Sequence, residues 1–192
     1  MKLQSLVTGC LLICFGLPAG IIPETLAADK LIGFHSARTM SQAMPWIAEE
    51  AGLFKKYDLD FQLVYISSAP IVTAALLGGG AQVAVSGGEA IVRAHAQGAS
   101  DLVFVGSAKN TLTHSILARP EIKRPEDLKG RKLGLTRLGS NSHYFIIQVL
   151  RKYGMEPTDI NFIQTGGQTE NLAALLSGNV DAPSMTGPSG GT

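Results

Sequence analysis

The chain has only two cysteines in 192 residues, Cys10 and Cys14. Both lie in its first stretch, so disulfides, thiol chemistry and a cysteine metal site are excluded from the rest. Charge of one sign is also lacking. Sixteen Lys and Arg stand against 15 Asp and Glu, for a formal net charge of +1. No Lys/Arg run argues for nucleic acid. The histidines, His35, His95, His114 and His143, are scattered and form no pair at metal-ligand spacing. No Gly-x-Ser-x-Gly elbow is present. Gly78-Gly79-Gly80 lacks the Lys-Ser/Thr of a phosphate loop and reads as a helix stop. Asp159 and Asp181 are isolated and give no acid–base pair. The sequence therefore assigns no catalytic residue, no metal and no cofactor.

What is present begins with a leader. Met1 to Ala27 has a basic start at Lys2, an apolar run from Leu6 to Leu17, and Thr25-Leu26-Ala27 as a small-residue cleavage pattern. It reads as a secretory signal. A membrane anchor is the alternative, but the run is short for one and ends at Pro18 and Gly20. Val7-Thr8-Gly9-Cys10 resembles a lipoprotein box, yet it does not follow the apolar run, as such a box should. Beyond the leader nothing is long and apolar enough to span a bilayer.

An internal repeat organises the remainder. Ala74-Ala75-Leu76-Leu77-Gly78-Gly79-Gly80-Ala81-Gln82-Val83 aligns without a gap with Ala173-Ala174-Leu175-Leu176-Ser177-Gly178-Asn179-Val180-Asp181-Ala182. Upstream, Lys56-Tyr57 and Phe61 to Val64 match Lys152-Tyr153 and Ile160 to Ile163. Two copies of a strand–helix–strand unit predict two similar α/β lobes and a cleft between them. Pro183 stands where the first copy has Ala84, and proline is poor in a central strand. The second lobe is thus expected to be incomplete, the chain to be a fragment, and this lobe to be the looser one.

Hydrophobic spacing places strands at 31–35, 60–66, 82–85, 102–105, 115–118, 132–136 and 160–164, with a last one starting at Val180. Helices are predicted over 42–57, 69–77, 89–97, 143–153 and 169–176, with a short helical turn at 124–130. Alternation of this kind implies parallel sheets. Ligands of such sheets bind at the carboxyl ends of the strands. Those ends carry Ser36-Ala37-Arg38-Thr39, Ser67-Ser68, Ser86-Gly87-Gly88, Gly139-Ser140-Asn141-Ser142 and Thr165-Gly166-Gly167. Each leads into a helix, where free N–H groups favour anionic or strongly polar groups. Any one of these loops is equally an ordinary helix cap; all of them together point to a ligand. The candidate contacts are Ser36, Arg38, Ser67, Ser68, Gly87, Gly88, Asn110, Ser140, Asn141 and Gly167. Arg38 either pairs with a ligand carboxylate or sulfonate or is solvated. Lys109-Asn110 either lines the cleft or forms a hinge turn. Glu89 follows Ser86 at capping-box spacing and reads as a cap. Trp46 is expected to pack inward, with stacking on an aromatic solute as the alternative.

Pro45-Trp46-Ile47-Ala48-Glu49-Glu50-Ala51-Gly52-Leu53-Phe54-Lys55-Lys56-Tyr57 resembles the first-helix signature of periplasmic solute-binding proteins of ABC importers. The resemblance is to the nitrate/sulfonate/taurine and NMT1/THI5-like group. Arg119 to Ile122, Arg124 to Gly130 and Leu172 to Asp181 carry it further. It implies a two-lobed, type II periplasmic-binding-protein-like α/β fold, with parallel-rich sheets flanked by helices and, here, an incomplete second lobe. The expected organisation is a signal peptide at 1–27, lobe 1 at 28–112 and lobe 2 at 113–192. The family's binding loops map to Ser36, Ser67, Gly87-Gly88 and Ser140-Asn141. The implied function is capture of a small anionic or polar organic solute and its delivery to a membrane permease. The protein would then be periplasmic and, when complete, monomeric. The alternatives are a pyrimidine-precursor synthase on the same fold, whose cysteine-rich motif is absent here, and the ligand-sensing module of a receptor.

Overall fold

A computed structural model describes residues 28–109 and 111–186. The expected signal segment and Asn110 lie outside the described residues. The first half opens with β1 (Asp29–His35), which is central because its neighbours on both sides are parallel to it. A 3-10 turn at Met40–Gln42 leads to α1 (Met44–Glu50) and α2 (Leu53–Lys56). The single helix expected over 42–57 is therefore broken. The break falls at Gly52, whose φ of +66° caps α2 in a conformation glycine takes without steric cost. Next come β2 (Leu59–Tyr65), α3 (Ala69–Leu77), β3 (Val83–Val85) and α4 (Gly88–Ala96). The sheet order is β2-β1-β3, all parallel.

The second half contains β4 (His114–Ile116), a 3-10 turn at Pro125–Leu128, β5 (Lys132–Leu135) and α5 (Asn141–Lys152). A 3-10 turn at Pro157–Asp159, β6 (Asn161–Gln164), α6 (Gln168–Leu176) and β7 (Ser184–Thr186) follow. β5 and β6 are parallel, whereas β4 and β7 pair antiparallel. Both 3-10 turns use one device, an aspartate reaching back to the chain entering the turn. Asp127 Oδ2 accepts from the N–H groups of Lys123 and Arg124, each at 2.9 Å, and Asp159 Oδ2 accepts from that of Glu156 at 2.9 Å.

The repeat is visible in the bonding. Gln82 N donates to Ile32 O at 3.1 Å, and its side-chain oxygen accepts from Ile32 N at 2.8 Å. Asp181 makes the same two contacts with Lys132, both at 2.8 Å. Ile32 pairs with Gln62 across to β2, and Lys132 with Asn161 across to β6, which are the positions the sequence alignment equates. Gly79 and Gly178 turn the chain at φ +75° and +83° in the two copies.

Two expected strands differ. Residues 102–105 form none, and Val103, Phe104 and Val105 are 78, 61 and 91% exposed. A short apolar run becomes a strand only where a neighbour takes up its ladder, and the free edge of β3 has no such neighbour among the described residues. The strand expected from Val180 starts at Ser184 instead. Residues 180–182 run beside β5, with Gly134 N donating to Ala182 O at 3.2 Å. Pro183 is fully buried between the two stretches, and its carbonyl accepts from Leu117 N at 3.1 Å.

Packing also departs from expectation. The first-half core is small, with Phe34, Val72 and Ala81 buried under α3 and the sheet. The second-half core joins Leu128, Leu133, Leu135, Ile146, Leu150, Met155, Ile160 and Ala182. The half expected to be looser is the better packed.

Candidate functional site

The strand-end loops of both halves converge. Ser36 follows β1, and its carbonyl accepts from Ser68 N at 3.2 Å, joining the first two loops. Ser67 Oγ donates across the halves to the carbonyl of Gly166. Gly87 caps α4 and lies against Asn141 at the start of α5, so closely that a side chain on Gly87 would collide with the Asn141 amide. Gly88 stands over Phe104, and a Cβ there would sit 3.3 Å from the ring. Gly167 caps α6, with the Tyr65 hydroxyl and the Glu170 carboxylate folded against it. Arg38 is exposed and lies over the Tyr65 ring, 4.2 Å from its centroid. Nine of the ten expected contacts thus fall in one region, and Asn110 lies outside the described residues.

The loops touch where an open cleft was expected. A groove of about 340 Å³ lies elsewhere, lined by Ile116, Ile122, Phe145 and Val149 of the second half among others, and none of the loop residues lines it.

Each loop has its own local chemistry. Ser140 caps α5 by accepting from His143 N, and its hydroxyl shares a buried network with Thr136 and Ser142 at 2.7–3.0 Å. Gln42 serves the first loop. Its side-chain oxygen accepts from Ser36 N at 2.8 Å and Ala37 N at 3.0 Å, while its amide nitrogen donates to Ser36 Oγ at 2.9 Å. Ser68 has no such relief. It sits at φ +80°, a strained value for a residue with a side chain, at the start of α3. It is 4% exposed, and its hydroxyl has no hydrogen-bond partner among the described residues. The Ser86 hydroxyl is likewise buried and unpartnered among them.

Glu89 is not the cap that its spacing predicts. Gly87 holds the cap position, and no side chain caps α4. With the Asn141 amide turned so that its nitrogen faces Glu89, that nitrogen donates to Oε1 at 2.8 Å and also abuts Oε2. Burial pushes the Glu89 carboxyl up to about 7, against smaller opposing effects of its own backbone N–H and of Arg93. Burial, aided by Arg93, lowers His143, and Gly139 N donates to its Nδ1 at 3.2 Å. His35 is held low by burial. Trp46 is half-buried and meets the His35 ring nearly edge-on, with centroids 4.4 Å apart, beside the end of β1.

Sequence reasoning missed Tyr65, Gln42 and the cross-half role of Glu89. Tyr65 is the last residue of β2, so its place at a strand's carboxyl end was available. Gln42 was hidden because it acts from the turn before α1, inside the span expected to be helical.

A parallel sheet whose strand-end loops meet those of a second sheet is the architecture of the periplasmic binding proteins. The model of the NMT1/THI5 like family matches residues 41–187, and the chain belongs to that family. The Bacillus subtilis binding protein YtlA is 28% identical over 183 residues, which are 93% of this chain and 54% of that protein. The taurine-binding periplasmic protein of Escherichia coli K12 is 25% identical over 152 residues, 78% of this chain and 44% of that one. The solved structure of the alkanesulfonate-binding protein SsuA from Xanthomonas axonopodis pv. citri bound to MOPS has a TM-score of 0.71 at 26% identity, covering 84% of this chain and 55% of that chain. The chain spans about half the length of the curated relatives it matches. These relatives carry the names of binding proteins, and the fold is that of the periplasmic binding proteins.

Proposed function

We propose that this chain is the solute-capturing part of an extracytoplasmic binding protein that serves a membrane permease. Its leader at 1–27 directs export, and 28–112 and 113–192 act as two lobes. The solute, small and polar, enters where the strand-end loops meet. Ser36, Arg38, Ser67, Ser68, Gly87, Gly88, Ser140, Asn141 and Gly167 form the contact set, together with Asn110, which lies outside the described residues. The observation that carries this reading is Ser68: a strained residue, 96% removed from water, with an unpartnered hydroxyl at the first turn of a helix.

A binding protein holds its solute and returns it unchanged. A thermal-shift screen of the 192-residue chain against sulfonates, nitrate, aromatic acids and pyrimidines should yield a ligand that raises the melting temperature by mass action. Ser68→Ala should reduce that shift. Recovery of the ligand unaltered after prolonged incubation separates binding from the enzyme reading, which predicts a product.

A further inference from the structure

Anions gather at helix N-termini because the first N–H groups lack partners and the helix dipole is positive there. In this seam the chain's own oxygens take up free N–H groups and helix starts. In the loop after β1, Gln42 Oε1 holds the N–H groups of Ser36 and Ala37. The Glu170 carboxylate folds over Gly167 at the start of α6. Glu89, the second residue of α4, puts its carboxyl against Asn141, the first residue of α5. Two helix N-termini from different halves therefore meet around one protein carboxyl. A bare anion arriving there meets a like charge at the place its own charge would take.

We propose that Glu89 sets the solute's class: the group that enters between α4 and α5 is an ammonium, and the solute's anionic group lies at the start of α3, near Ser68 and Arg38. This rests on the solute-binding reading above and names the chemistry of that site.

The surroundings support it. Among the described residues neither ion pair involves Glu89; the two are Arg124–Asp127 and Lys129–Asp159. Arg93, on the same helix, lies beside Gly139. From α5 the facing groups are Asn141 and His143, and the latter accepts from Gly139 N, which leaves that ring nitrogen unprotonated. Burial outweighs the smaller opposing effects of its own N–H and of Arg93, which makes no ion pair with it, so the Glu89 carboxyl, at about 7, is half protonated near neutral pH. An ammonium placed beside it would ionise it and release a proton, whereas a simple anion would raise it further and take one up. The sign of proton exchange on binding therefore reports which group sits there.

The test uses matched solutes that differ by one amine: taurine against ethanesulfonate, β-alanine against propionate, and 4-(aminomethyl)benzoate against 4-methylbenzoate. The wild-type chain and Glu89→Gln are compared by thermal shift and by calorimetry at pH 7 in two buffers of different ionisation enthalpy. In at least one pair the amine-bearing member should bind at least ~10-fold tighter to wild type, since a site built for an N–H donor rejects the analogue lacking it. Its binding should release a proton, and Glu89→Gln should abolish both the preference and the release while keeping the fold by circular dichroism. Amine-free members that bind equally well or tighter, with proton uptake, would overturn the assignment and leave solute binding standing. If no member of any pair shifts wild type while a solute of the wider screen does, this assignment falls and solute binding stands; if nothing in either set shifts it, both fall.

Discussion

In the first half Gln82 clasps Ile32, and in the second Asp181 clasps Lys132, with the same two hydrogen bonds and the same strand register. What surrounds the clasped strand differs. β1 is covered by a core of Phe34, Val72 and Ala81, whereas β5 contributes Leu133 and Leu135 to an eight-residue core that also holds Ile146, Leu150 and Met155. One backbone plan thus carries two densities of apolar side chain. Topology came with the repeated pattern of polar contacts and turns, and stability is set by side-chain volume on the buried faces.

The largest expected effect tests that contrast. Leu150→Ala should cost about 2–5 kcal/mol, because Leu150 is fully buried and its neighbours can collapse only partly. Val72→Ala, at an equally buried site of the smaller core, should cost roughly 1–2 kcal/mol, as two methyl groups are removed. Urea unfolding of both variants gives the comparison. Hydrogen exchange should likewise show stronger protection over 133–150 than over 31–34. Equal costs and equal protection would mean that the two halves unfold as one unit and that local packing does not rank them.

The seam between the halves should register in the pH dependence of stability. Glu89 has a folded value of about 7, raised above the ordinary 4.5 by burial. The folded state therefore binds more protons than the unfolded state between those values. Stability from this group is fully present below about 4.5 and is lost as pH rises through about 7. His35 and His143 act oppositely. Burial lowers their folded values, so their cost is largest at acid pH and fades as pH rises to the ordinary 6.5. The difference between wild type and Glu89→Gln isolates the carboxyl. Wild type should lose stability relative to the variant from pH 5 to 7.5, and a flat difference would place Glu89 in water.

The clasp itself ranks next. Asp181→Ala removes a carboxylate acceptor and should cost about 1.5–3 kcal/mol, whereas Gln82→Ala removes a neutral one and should cost about 0.5–1.5 kcal/mol. Chemical denaturation of the pair measures both, and a larger cost at Gln82 would break the equivalence of the two copies.

How much of this was legible beforehand follows from which residues act locally. The repeat, the strand-end loops and the capping role of the loop around Ser140 all depend on residues close in sequence, and they were readable. The split at Gly52 was not, because helical spacing continues across it while one positive φ ends the helix. The missing strand at 102–105 and the antiparallel β4–β7 pair depend on which distant segment supplies the ladder, and that is not encoded in local alternation. The same limit hid Glu89. Three residues after a serine it resembles a cap, and only the approach of α5 turns its carboxyl toward Asn141.

The smallest expected effect separates the two serines that open helices in the two halves. Ser140 works as a cap inside a hydroxyl network, so Ser140→Ala should cost about 1 kcal/mol. Ser68 opens α3 with no cap bond, at φ +80°, and its hydroxyl is buried without a partner. Glycine reaches that backbone conformation without the Cβ penalty and leaves no hydroxyl to desolvate. Ser68→Gly should therefore raise stability by about 0.5–1 kcal/mol in the absence of solute. If Ser68 is kept for a ligand, the same change should weaken binding while it stabilises the chain, so the two measurements move in opposite directions. Calorimetric unfolding with and without the best solute of the screen reads both. A glycine variant that is less stable without solute would show that the serine hydroxyl supports the fold, and the strain at this turn would then have no bearing on binding.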